Sequence, residues 1–144
     1  MKCINELSEE IHENAVNKGF YSLHQGELNL AEKIMLCVCE LSEAIEADRK
    51  GKRADLEAFF KRRNELIASM NSKAVKPDDE IDLIIGYQKQ CFKTYVKDTV
   101  EDELADCMIR IMDLAGYMKI DLEKHIELKM NYNSQREHLH GKKY

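Results

Sequence analysis

The chain has 144 residues, of which 44% are hydrophobic and 34% are charged, and its formal net charge is −5. This composition is typical of a globular domain with a buried core and excludes an intrinsically disordered chain. The negative charge argues against nucleic acid as a partner, and no apolar run reaches the roughly 18 residues of a membrane span.

The first residues, Met1 to Glu6, contain no signal-peptide core, so we expect a cytoplasmic protein. The cysteines are odd in number and form no CxxC motif: Cys3, Cys37, Cys39, Cys91 and Cys107. Free thiols in a reducing compartment are the simplest interpretation, and ligand clusters for zinc are missing.

Helical periodicity runs through nearly the whole chain, and the alternation typical of strands is missing. The pattern predicts one all-α domain over residues 1–144, with helices at about 2–18, 28–50, 55–72, 78–97, 99–118 and 121–139. Gly51 and Gly116 are predicted C-terminal caps, Pro77 a helix start and Asp121 an N-cap. Gly86 is an exception, because it falls inside a predicted helix.

The segment at about 53–98 is predicted to be a helical hairpin. Its apolar residues recur at helical spacing, and it separates two acidic motifs that are described next. Two interpretations remain open for it. The hairpin is either a packing or dimerisation element or a mobile lid over a site.

The two acidic motifs are Glu40-x-x-Glu43 and Glu103-x-x-Asp106. Residues three apart share one face of a helix, and buried carboxylates need a cation to compensate them. Mg²⁺ prefers such oxygen ligands and binds phosphates as well. We therefore expect an interior acidic cleft, although an ordinary solvated acidic face remains an alternative. Apolar stripes beside the acids are predicted to face the core: Ile34, Val38, Leu41 and Ile45 on the second helix, and Leu104, Cys107, Met108, Ile111, Leu114 and Met118 on the fifth.

The inward face of the last helix, marked by Leu122 and Ile126, continues with Lys129, Asn133 and Arg136. Cationic groups on a buried-side face require an anionic partner, either the carboxylates or a polyphosphate. Lysines in the tail extend this pattern, although a tail of mixed charge is often only solvated.

Near the first helix, Phe20 and Tyr21 are adjacent aromatic residues in a loop. They are either a hydrophobic plug at the end of the bundle or a platform on which a base stacks.

With these motifs the chain resembles the MazG-like nucleoside triphosphate pyrophosphohydrolases, an all-α family related to the dimeric dUTPases. The resemblance rests on the ExxE and ExxD pairs and on four longer stretches, Glu10 to Phe20, Glu40 to Lys52, Val100 to Asp106 and Lys129 to Lys143. It implies a four-helix-bundle core with the hairpin as an insertion. The spacer of residues 44–102 is long, so neither the subfamily nor the nucleobase of its substrate can be assigned.

The resemblance implies cleavage of a nucleoside triphosphate to a monophosphate and pyrophosphate, a role in nucleotide-pool sanitation, and a homodimer or homotetramer. It also implies residue roles. Metal ligands for Mg²⁺, with Mn²⁺ as a substitute, would be Glu40, Glu43, Glu103 and Asp106; Glu43 and Glu40 would be catalytic; Lys129, Asn133, Arg136 and Lys142 would bind phosphates; and Phe20 and Tyr21 would hold the base.

Two other functions fit parts of the pattern. A di-iron carboxylate bundle uses ExxH motifs, and the chain has Glu9-x-x-His12 and Glu137-x-x-His140. The second motif lies against a glycine and two lysines, a poor place for a ligand at the centre of a bundle. A non-enzymatic helical adaptor with solvated acids is the other alternative.

Overall fold

A computed structural model of the chain describes residues 2–21, 28–71 and 77–137. In these ranges the chain forms six α-helices and no β-strand, which confirms the predicted all-α fold. The helices are α1 (Ile4–Asn17), α2 (Leu30–Arg49), α3 (Leu56–Asn71), α4 (Pro77–Tyr95), α5 (Val100–Met118) and α6 (Leu122–Ser134). The last helix ends well before residue 139, where the sequence pattern predicted its end.

Three of the predicted helix ends are confirmed. Gly51 follows α2 with a φ of 63°, and the Lys52 N–H donates to the Ala47 carbonyl over 3.0 Å, as in a Schellman cap. Asp121 caps α6 by accepting a hydrogen bond from the Lys124 N–H over 3.0 Å. Helix α4 begins at Pro77.

The prediction for Gly116 is wrong, because this residue lies inside α5 and does not end it. A Cβ at this position would lie 2.5 Å from the Ser8 carbonyl oxygen and 2.8 Å from the His12 Cβ. The glycine therefore serves the close approach of α1 to α5, where Ser8 is itself buried. The sequence pattern predicts a cap at Gly116 because a glycine near the end of a helix often ends it.

The chain divides into two compact units, and the first comprises Met1–Ile34 with Met108–Tyr144. In it α1 contacts the start of α6 through a reciprocal set of hydrogen bonds. The Asn5 side-chain amide donates to Asp121 Oδ1 over 2.8 Å, and the Glu123 N–H donates to Asn5 Oδ1 over 3.2 Å. The Glu123 side chain in turn accepts a hydrogen bond from the Ile4 N–H over 3.1 Å, so that one backbone N–H at each of the two helix N-termini is satisfied.

The second unit comprises Met35–Cys107. Helices α3 and α4 pack against each other as the predicted hairpin, around the buried residues Phe59, Met70 and Cys91. At the base of the hairpin, the Asp55 N–H donates to the Tyr95 carbonyl over 2.9 Å. The unit extends beyond residues 53–98 on both sides and includes both acidic motifs. The single domain over 1–144 and its four-helix-bundle core stay predictions.

The apolar stripe of α2 is largely exposed, contrary to prediction. Ile34, Val38, Leu41 and Ile45 are between 44% and 59% exposed. The buried residues of this helix are Glu40, Ala44 and Ala47, so α2 uses its acidic face for contacts within the chain. Amphipathicity shows which face is apolar, but it does not show whether the same chain covers that face.

The stripe predicted for α5 is also wrong for most of its members. Leu104, Met108, Ile111 and Met118 are exposed, Cys107 is buried, and Leu114 is half-buried. Glu103, which lies outside this apolar stripe, is buried. Both helices thus turn a face with carboxylates and small residues inward.

Candidate metal centre

Three carboxylates from two helices converge in the second unit. Glu40 and Glu43 of α2 and Glu103 of α5 each offer an oxygen atom, and these atoms all lie within 4.8 Å of one another. Glu40 is 6% exposed and Glu103 is 5% exposed, whereas Glu43 is exposed to solvent. Carboxylates from both acidic motifs therefore lie close together, while the interior cleft and its metal stay predictions.

The electrostatics of the cluster are unfavourable without a cation. Burial raises the pKa of Glu103 to about 6, and the negative charges of Glu43, Asp102 and Glu40 contribute to this increase. A hydrogen bond with Glu40 favours the protonated form of Glu103. Oxygen atoms at this separation, two of them on buried side chains, suit a hard divalent cation that would replace the shared proton.

The ends of α2 and α5 are fixed next to the cluster by local hydrogen bonds. Thr99 caps α5, since its Oγ1 accepts a hydrogen bond from the Asp102 N–H over 3.3 Å. The Val100 N–H donates to the Lys52 carbonyl over 3.3 Å, which joins the start of α5 to the turn after α2. The two ends of the hairpin therefore lie close together, and the long spacer does not move the two acidic motifs apart in space.

A second connection holds the same two segments together. Glu101, in the first turn of α5, accepts hydrogen bonds from the Arg53 Nε over 2.8 Å and from the Ala54 N–H over 3.0 Å. The Ala54 and Arg53 bonds lower the pKa of the Glu101 carboxyl, with the backbone bond as the larger cause. Glu101 therefore stays ionised and serves as a structural contact beside the cluster.

An open cavity of about 240 Å³ adjoins the cluster. Its lining combines carboxylates with two cationic side chains: Glu43, Glu46, Ala47, Lys50, Lys52, Asp98 and Glu103. Lys50 Nζ lies 3.0 Å from Glu46 Oε1, one turn before it on α2. The exposed carboxylate Glu43 thus lies where the buried cluster opens to solvent.

Asp106, the fourth predicted metal ligand, is exposed on α5 and is not part of the group of three. It lies one turn after Glu103, which is a spacing that allows two carboxylates to share a site. Its role as a metal ligand stays a prediction.

The predicted phosphate-binding residues on α6 lie in the first unit, and all three are exposed: Lys129, Asn133 and Arg136. The expectation that they occupy a buried-side face is wrong, because no residue of α6 is buried. Lys129 Nζ and the Arg136 guanidinium instead lie 5.1 Å and 5.9 Å from the ring centre of the exposed Tyr132. Lys142 and His140 lie outside the described residues.

The two residues predicted to hold a base differ in their surroundings. Phe20 is exposed. The Tyr21 hydroxyl donates a hydrogen bond to Asp113 Oδ2 over 2.7 Å, and its ring stacks on Tyr117 with the Lys33 ammonium 4.5 Å from its centre. Burial and the bond to Asp113 raise the pKa of Tyr21. These contacts occupy Tyr21 in a structural role within the first unit.

Sequence reasoning missed the polar network around Asp113. One oxygen of this carboxylate accepts a hydrogen bond from the Tyr21 hydroxyl, and the other lies 2.9 Å from His12 Nδ1. The sequence gives no signal for this contact, because His12 and Asp113 are separated by most of the chain. His12 also belongs to the first ExxH motif of the di-iron alternative, while His140 of the second motif lies outside the described residues, so that alternative is not tested.

Among the helices that the structure describes, none combines the length and the apolarity needed to cross a bilayer. Comparisons of the chain with protein-family models, with curated proteins and with solved structures find no match for it.

Proposed function

We propose that the chain is a Mg²⁺-dependent nucleoside triphosphate pyrophosphohydrolase, which converts a nucleoside triphosphate and water to a monophosphate and pyrophosphate. The observation that carries the proposal is the convergence of Glu40, Glu43 and Glu103 within 4.8 Å, with two of the three side chains buried. A merely solvated acidic face does not require carboxylates to be buried against one another, since repulsion would drive them apart.

The three carboxylates divide their roles according to their exposure. Glu40 and Glu103 are buried and would hold Mg²⁺, with Asp106 as a further ligand. Bound Mg²⁺ would supply positive charge that attracts the phosphate oxygens and favours deprotonation of water. Glu43 faces the open cavity, so it is the carboxylate best able to orient an attacking water molecule or accept its proton.

The remaining substrate contacts in this proposal are those that the family resemblance implies. Lys129, Arg136 and Asn133 are exposed and carry the groups that bind phosphate oxygens, and Lys142 would join them. Of the two residues predicted to hold a base, Phe20 is the exposed one and is available for stacking.

A homo-oligomer is also part of the proposal. The exposed stripe of α2 repeats at spacings of four, three and four, from Ile34 through Val38 and Leu41 to Ile45, as in the seam of a coiled coil. A contiguous apolar stripe on a helix is typical of a surface that another helix covers. A second copy packed on this stripe would bury it.

The experiment is a panel of common nucleoside triphosphates incubated with Mg²⁺, with pyrophosphate and orthophosphate measured separately. We expect pyrophosphate release that EDTA abolishes and Mn²⁺ supports. Glu43→Gln should lower the rate at least about 100-fold, because it removes a group that acts in the transition state. Orthophosphate as the only phosphate product, or full activity in EDTA, would contradict the proposal.

Asp48→Asn is a matched control, since it removes one negative charge from an exposed position on α2 outside the cluster. Its activity should stay close to that of the wild type. If Asp48→Asn and Glu43→Gln lose activity equally, the loss reflects net charge or folding and not the cluster.

A further inference from the structure

The inserted hairpin has one helix with two different faces. Helix α4 packs against α3, and its residues Ile84, Tyr87, Cys91 and Tyr95 are buried or half-buried. A second set of apolar residues on α4 has no such cover. Ile81 is 67% exposed, Ile85 is 45% exposed and Phe92 is 40% exposed.

These exposed residues follow the spacing of a coiled-coil seam. Ile81, Ile85, Gln88 and Phe92 recur at intervals of four, three and four, and therefore occupy successive d and a positions of a heptad. Gln88 is the one polar residue of the seam. A single polar residue within such a seam commonly fixes the register of the pairing.

Two opposite charges flank one side of this seam. Asp82 and Lys89 both occupy the e position of the heptad, and both are exposed. They are seven residues apart on one helix, about 10 Å along its axis, which is too far for an ion pair within α4. In an antiparallel pair of helices, however, e positions face e positions.

We infer that α4 pairs with α4 of a second copy in antiparallel orientation. Ile81 would then pack on the partner's Phe92, and Ile85 on the partner's Gln88. Asp82 would face the partner's Lys89, and two-fold symmetry would repeat this contact, so that each interface contains two ion pairs. A parallel pair would instead place the acidic ends of both helices side by side.

The charge distribution along α4 favours a second copy over an anionic membrane. Lysines line a groove beside the C-terminal half of the helix, where Lys89, Lys93 and Lys97 surround Phe92. The other half of the same surface carries Asp82, which anionic lipid would repel. In an antiparallel pair, the basic C-terminal half of each α4 lies against the acidic N-terminal half of the other.

The test is a charge swap across the proposed interface in the full chain, with molar mass measured by light scattering over a concentration series. Asp82→Lys or Lys89→Asp alone would place like charges opposite each other at both symmetric contacts. Either change should weaken self-association about tenfold or more, so that the mass falls by half at moderate concentration. The double variant Asp82→Lys/Lys89→Asp should restore the mass of the wild type.

Gln90→Lys is the matched control, because it adds a charge to α4 at an exposed f position outside the interface and should leave the mass unchanged. Circular dichroism checks that each variant is folded, and if Asp82→Lys unfolds, Lys89→Asp provides the same comparison. A monomeric wild type, unaltered mass in both single variants, or failure of the double variant to recover would overturn the inference. Binding of the wild type to phosphatidylserine vesicles without self-association would do the same and would assign the surface to lipid.

Discussion

Replacement of Glu103 by glutamine should have opposite effects on stability with and without Mg²⁺. Glutamine has nearly the shape of glutamate and resembles the protonated carboxylic acid, since its amide group can donate a hydrogen bond to Glu40. Without metal, the substitution removes one of three negative charges within 4.8 Å. With Mg²⁺ present, it would remove a ligand of the proposed site.

The size of the first effect follows from the pKa of Glu103. A rise from 4.5 to about 6 corresponds to at most about 2 kcal/mol at pH values well above 6, at about 1.36 kcal/mol per unit. Coulomb repulsion at this distance is on the order of 1 kcal/mol in water and about 3 kcal/mol at an effective dielectric constant near 20. Because the cluster opens to solvent at Glu43, screening reduces the gain, and we expect about 1 kcal/mol, or a melting temperature about 3 °C higher.

The second effect has the opposite sign. If the proposed site binds Mg²⁺, a concentration about 100 times the dissociation constant should stabilise the wild type by about 2.7 kcal/mol. Glu103→Gln should lose most of this stabilisation, so that the order of the two melting temperatures reverses between EDTA and Mg²⁺. Thermal unfolding followed by circular dichroism measures both.

Asp48→Asn provides the control for net charge, and it should respond to Mg²⁺ as the wild type does. A Glu103→Gln variant that is less stable than the wild type in EDTA would contradict the predicted repulsion. Equal stabilisation of the variant and the wild type by Mg²⁺ would contradict the role of Glu103 as a ligand.

The remaining predictions concern pH and packing. Glu103 binds its proton more tightly in the folded protein than in the unfolded chain, so the stability of the metal-free protein should fall as pH rises from 4.5 to about 6. Mg²⁺ affinity should rise over the same pH range. Urea denaturation measures the first trend and calorimetric titration the second. Gly116→Ala should destabilise the protein by about 2–4 kcal/mol because its Cβ would overlap Ser8, and Gly86→Ala, whose Cβ meets open space, should stabilise it by up to about 1 kcal/mol, both read from urea midpoints. Tyr21→Phe should lower the free energy of unfolding by about 1 kcal/mol, because it removes the hydrogen bond to Asp113. Mg²⁺ affinity should not change, and a loss of Mg²⁺ affinity in this variant would contradict a purely structural role for Tyr21.

A feature of this protein is predictable from the sequence when it depends on interactions between residues close together in the chain. Six helices, the cap at Gly51 and the N-cap at Asp121 were predictable, because period, capping and turn chemistry depend on residues a few positions apart. The role of Gly116 was not, since it depends on α1, which is about a hundred residues away in the chain.

The acidic cluster shows the same division within one site. Spacing alone placed Glu40 with Glu43 on one helical face and Glu103 on another helix, and their chemistry suggested a divalent cation. Only the tertiary structure brings the three carboxylates together, leaves Asp106 outside the group and engages Tyr21 with Asp113.

The direction of the helix faces was decided by tertiary packing. The sequence determined that α2 and α4 each carry an apolar stripe, because side-chain hydrophobicity and helical period are local properties. Whether the stripe is buried depends on which surface covers it, and the chain covers the acidic face of α2 while it leaves Val38 and Leu41 exposed. A side chain is buried only when another surface packs against it, and the hydrophobic pattern along one helix does not show which surface that is.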